Sequence, residues 1–81
     1  MGVLRVMSGR GDDQIVWERQ HVTVGDLEAL AAVREAERIF QAQQARGATA
    51  FVVEKGHTLT RIDQFDVEAE QIVLVPRVVG G

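Results

Sequence analysis

Apolar residues dominate Val3-Leu4-Arg5-Val6-Met7, broken only by Arg5, and run together as Ile15-Val16-Trp17 within Gln14-Ile15-Val16-Trp17-Glu18-Arg19, on either side of the turn-forming run Ser8-Gly9-Arg10-Gly11-Asp12-Asp13. Two β-prone runs around a Gly- and Asp-rich cluster predict a β-hairpin. Alternate strand positions point to opposite faces, so Leu4, Val6, Ile15 and Trp17 form the expected inward set. The period then changes. Apolar residues recur at Ala29, Ala32, Val33, Ala36, Ile39 and Phe40, while Arg34, Glu35, Glu37, Arg38, Gln41 and Gln44 fill the other face, the signature of an amphipathic helix. Thr23-Val24-Gly25-Asp26 has the spacing of a capping box, which starts the helix near Asp26, and Gly47 supplies a left-handed stop. A helix of twenty-odd residues spans roughly 30 Å. Its first two turns are expected to overhang the sheet or to separate as a turn of their own.

After Gly47 the β texture returns in Thr49-Ala50-Phe51-Val52-Val53-Glu54 and, past the Lys55-Gly56-His57 turn, in Thr58-Leu59-Thr60-Arg61-Ile62-Asp63. Residues 65–70 carry too much charge for a strand and suit a turn or a short 3₁₀ piece. Gln71-Ile72-Val73-Leu74-Val75 is β-branched and nearly all apolar, which suits a central strand. The order β-β-α-β-β-β predicts an α+β fold of the β-grasp kind, a mixed sheet of four to five strands with one helix packed across it. In that arrangement the last strand runs parallel beside the first. Pro76 lacks an amide donor and would end the pairing. Residues 1–75 therefore form one domain, and residues 76–81 leave it as a tail of roughly 20 Å.

The tail reads Pro76-Arg77-Val78-Val79-Gly80-Gly81. A glycine end has no Cβ and can be threaded through a narrow channel to bring its carboxylate to a nucleotide or a thiol. Two successive glycines at a given place arise about once in 200 sequences, so the residues before them carry the weight. The run from Glu70 to Gly81 resembles the last strand and diglycine tail of ubiquitin, and the strand-proline-apolar-Gly-Gly ending of the molybdopterin-synthase and thiamine sulfur carriers. The match covers about a dozen residues, the rest being a likeness of element order. The stretch from Glu18 to Asp26 and the helix run longer than in that family, and Arg77 stands where sulfur carriers often have a small or apolar residue.

This resemblance implies that an E1-like adenylyltransferase uses ATP to activate the Gly81 carboxylate. The acyl-adenylate then passes to a thiol and on to an amide with a target protein, or to persulfide sulfur as a thiocarboxylate for a sulfur acceptor. Gly80 and Gly81 would supply reach. Pro76, Val78 and Val79 would lie in an extended groove of the activating enzyme, and Arg77 would pair with one of its carboxylates. An E2-like enzyme or a JAB-type peptidase would be a further partner. Lys55, the only lysine, is the candidate acceptor for conjugation, and its solitude argues against diverse polymers.

Composition narrows this picture. The chain has no cysteine, so disulfides, thiolate metal sites and a cysteine nucleophile of its own are excluded. A net charge of −3 with no basic stripe argues against nucleic acid. Met1-Gly2-Val3-Leu4-Arg5 has no signal-peptide pattern and no apolar run reaches spanning length, so a cytoplasmic protein with no membrane contact is expected. His21 and His57 have no ligand spacing, so no metal or cofactor is expected. Ser8, His57 and Asp63 come without a nucleophile elbow, and the chain is not expected to be an enzyme. Arg10-Gly11-Asp12 spells an integrin-binding tripeptide, which the expected hairpin tip explains as turn chemistry. The alternative to covalent chemistry is a structural or assembly module, such as the ubiquitin-like domains that accompany phage tail assembly, docking through a sheet edge or the tail.

Overall fold

The computed structural model describes residues 1–8, 11–54 and 58–77. Seven elements follow in order: β1 (Gly2–Ser8), β2 (Gly11–Trp17), α1 (Arg19–Thr23), α2 (Leu27–Ala45), β3 (Thr49–Val53), β4 (Leu59–Ile62) and β5 (Gln71–Val75). The strands form one five-stranded sheet in the order β2-β1-β5-β3-β4. β1 pairs antiparallel with β2 and parallel with β5, while β3 pairs antiparallel with both β5 and β4. The helix α2 packs across one face. This is a mixed-sheet α+β fold in a β-grasp-like arrangement, with the nearly all-apolar β5 at its centre.

The first hairpin is longer on its second arm than the turn chemistry of residues 8–13 suggests. Gly11, Asp12 and Asp13 pair with Ser8, Met7 and Val6, so the ladder claims residues that local propensity assigns to a turn. Gly11 and Asp12 of the tripeptide thus lie within β2, and Arg10 lies outside the described residues. β2 also stops earlier, at Trp17. Glu18 takes the N-cap position of the short α1 without a side-chain capping bond, and Arg19 is the first residue of that helix. The Arg19 guanidinium donates from Nη1 to the Glu68 carbonyl at 2.8 Å, which ties this turn to the loop before β5.

Asp26, not Thr23, caps α2: its Oδ1 accepts from the Ala29 amide at 3.1 Å. The Thr23 hydroxyl instead donates to the Arg19 carbonyl at 3.1 Å, inside α1. The capping-box reading fails because Thr23 already sits in a helical turn, where its hydroxyl finds the carbonyl four residues back. The other end behaves as glycine chemistry dictates. Gly47 (φ +91°) follows the last turn, its amide bonds the Gln44 carbonyl and the Ala48 amide bonds the Gln43 carbonyl, both at 2.9 Å. That pair of bonds is a Schellman stop. Leu27 is 83% exposed and Ala29, though buried, stands outside the core cluster, which α2 enters at Ala32; the helix is continuous from Leu27 to Ala45, so its opening turns do not break away. On the outer face Arg38 donates from Nε to Glu35 at 3.0 Å, and that hydrogen bond holds the Glu35 carboxyl below its ordinary range.

Leu4, Trp17, Ala36, Phe40, Ala50, Val52, Ala69, Ile72 and Leu74 make the buried cluster, with Val6, Ile15, Ala32, Val33 and Ile39 packed against it. The inward set expected for the hairpin lies here, and so does the helix stripe except Ala29, which is buried outside this cluster. The segment 63–70 contributes more than a connection. Phe65 meets Trp17 at 5.5 Å and Phe40 at 5.8 Å between ring centroids, the Val67 carbonyl accepts from Trp17 Nε1 at 3.1 Å, and Ala69 is buried. Residues 67–68 form a turn rather than a 3₁₀ piece, with the Asp66 carboxylate accepting the Glu68 amide at 3.0 Å.

Candidate functional site

The segment that leads to the diglycine begins in the middle of the sheet. β5 is held on one edge by β1, from Val3 opposite Gln71 to Val6 opposite Leu74, and on the other by β3, from Val53 opposite Gln71 to Thr49 opposite Val75. Both ladders stop by Val75. Pro76 and Arg77 are exposed and belong to no element, in keeping with a proline that cannot donate to a ladder. Val78, Val79, Gly80 and Gly81 lie outside the described residues, as does Lys55. The structure therefore places the root of the tail and two of the expected contact residues, Pro76 and Arg77.

Arg77 has a defined neighbour. A Cβ built on Gly47 would stand 3.1 Å from Arg77 Cδ and 3.5 Å from its Cβ, so the arginine stem runs over the bare glycine that ends α2. Gly47 thus serves two purposes. Its positive φ closes the helix, and its missing side chain leaves room for the residue after Pro76. The stem lies at the carbonyl end of α2, where partial negative charge favours a cation.

The sheet face away from α2 was missed by a reading that asked only which residues point inward. Leu4, Ile72 and Val52 point to the helix, so their neighbours Val3, Arg5, Val73, Phe51 and Val53 point the other way. No element of the described chain covers them. Of the seven exposed large hydrophobic residues among those described, Met7, Val16, Leu59 and Val75 also belong to this face. The signal was present in the sequence: these strands are apolar at both odd and even positions, and one helix can cover only one side.

Other candidates remain scattered. His21 is in α1 and Asp63 in the bend after β4, while His57 lies outside the described residues. A surface hollow of about 340 Å³ is lined by Val52, Glu54, Asp66, Glu68, Ala69 and Glu70. Among the described residues no group of three or more His, Cys, Asp or Glu side chains is placed to hold a metal ion, and no helix is long and apolar enough to cross a membrane.

No protein-family model, curated protein or solved structure matches this chain.

Proposed function

We propose that this protein is a carrier or modifier of the ubiquitin-like kind, acting through the carboxylate of Gly81. That carboxylate is reactive either as the chain's own terminus or after cleavage of residues beyond it. The observation that supports the reading is the position of β5. The strand that runs into the diglycine segment is clamped between two neighbours at the sheet centre, and its pairing ends at a proline. A partner enzyme gripping the body would then know where the tail starts, and Arg77 lying over Gly47 gives the first tail residues a direction.

The chemistry belongs to the partner. An E1-like adenylyltransferase brings the Gly81 carboxylate oxygen onto the α-phosphorus of ATP and expels pyrophosphate. A thiolate then attacks the acyl carbon of the mixed anhydride and expels AMP, and a target amine displaces the thiolate to give an amide. In the sulfur route a persulfide attacks instead, and a second thiol reduces the resulting acyl disulfide, leaving a thiocarboxylate and an enzyme disulfide. Lys55 is the one internal lysine through which conjugation of this chain to itself would pass.

The test is ATP–pyrophosphate exchange by a cognate activating enzyme, with the intact chain and with a chain lacking Gly80 and Gly81. Loss of exchange in the shortened chain is expected, and equal exchange from both would sink the proposal. A second reading, an assembly module without covalent chemistry, draws support from the uncovered sheet face. Stoichiometric recovery from a purified particle with an unmodified carboxylate favours it, whereas an amide conjugate or thiocarboxylate in intact mass spectra rejects it.

A further inference from the structure

The uncovered face is ordered in rows by the strand register. One row crosses the sheet as Gln14, Arg5, Val73, Phe51, Arg61, and the next as Val16, Val3, Gln71, Val53, Leu59. Each row has β5 at its middle, and each is patterned about that middle. In the second row apolar residues stand at equal distances on either side of Gln71. In the first, an arginine on one side of Val73 stands level with an aromatic ring or an amide on the other. With its amide oxygen turned toward Arg5, Gln14 accepts from Arg5 Nε at 3.2 Å and Nη2 at 3.0 Å, which lays the arginine along the surface instead of out into water.

We propose that this face binds a second copy of the same chain, about a two-fold axis running along β5. That rotation reverses the strand order while keeping each row level. Val16 then faces the partner's Leu59, Val3 faces the partner's Val53, and Val73 meets its own copy. Arg5 lies against the ring of the partner's Phe51, a cation–π geometry, and Arg61 meets the partner's Gln14, a neutral amide instead of a like charge. No arginine faces an arginine. A two-fold axis along the row instead would set Arg5 against Arg5 and Arg61 against Arg61, with like charges opposed. The register therefore selects both the occupant and the axis.

Facing sheets pack about 10 Å apart with their strands within about 30° of alignment, so pairs near the axis keep their facing best. Five strands of four to seven residues, about 4.8 Å apart, offer a face of roughly 450 Å² per copy, about 900 Å² in total, in the range of weak and transient interfaces. The expected association is reversible, with a dissociation constant on the order of 10–100 μM. This inference is independent of the fate of Gly81.

Sedimentation equilibrium from low-micromolar to millimolar concentration tests it. The expected result is a monomer–dimer equilibrium that Val73→Glu abolishes, circular dichroism confirming that the variant is folded. The axis is tested by cross-linking, because the chain has no cysteine and each variant carries a single thiol. With a bismaleimide spanning about 10 Å, a mixture of Val16→Cys and Leu59→Cys chains is expected to give the mixed dimer, and Leu59→Cys alone to give little. A monomer across the whole range, leaving the face to a different protein, overturns the proposal. So does a dimer that survives Val73→Glu, or Leu59→Cys chains that link to themselves as well as the mixture does.

Discussion

Gly2 occupies a position in β1 where no other side chain fits. A Cβ there would stand 2.3 Å from Trp17 Cε2 and 2.4 Å from its Nε1, and the indole cannot swing aside cheaply. Its Nε1 donates to the Val67 carbonyl and its ring leans on Phe65. Gly2→Ala is therefore expected to destabilise the fold by about 1–3 kcal/mol through overpacking, seen as a lower urea midpoint with an unchanged slope. Trp17 reads as an inward residue from its place two positions from Ile15 on a β-prone arm. No such sign marks Gly2, because the contact joins residues on two strands and depends on register, which no local pattern states. Gly47 is the intermediate case. Its role as a helix stop was legible, and its contact with Arg77 was not.

Of the two helices, only the long one is legible in the sequence. α2 shows its period over nineteen residues and was found with its stop. α1 has five residues, too few for a period to register, and no buried residue of its own. It forms because β2 delivers the chain to the sheet end and Arg19 reaches the Glu68 carbonyl. Its presence moved the cap of α2 from the residue the spacing favours to Asp26. Two substitutions separate these readings. Asp26→Ala is expected to cost about 1 kcal/mol by removing the acceptor of the Ala29 amide, and Thr23→Ala to stay within about 0.5 kcal/mol. Parallel urea unfolding of both variants checks the order, and a larger loss from Thr23→Ala contradicts it.

At the scale of the whole molecule, β5 is the seam between two hairpins that are otherwise far apart in sequence. β1 and β2 lie on one side of it, β3 and β4 on the other. Ile72, fully buried in that seam, is expected to lose about 2–5 kcal/mol on replacement by alanine, against less than about 0.5 kcal/mol for exposed Thr60→Ala on the edge strand. Thermal or urea denaturation of the pair measures the contrast. The sheet order was legible because a continuous apolar run marks a strand with neighbours on both edges. The openness of its second face was not, since a buried centre and an open apolar face share one pattern of residues.

The parallel ladder between β1 and β5 also sets how the molecule bears load. Gly2 begins one strand and Val75 ends its neighbour, so tension applied between the start of β1 and Pro76 runs along both strands in opposite senses. The hydrogen bonds joining them are sheared together instead of being unzipped one at a time. A motor pulling on the residues beyond Pro76 meets this clamp first, and the protein resists traction from that end more stiffly than it resists peeling at β2 or β4.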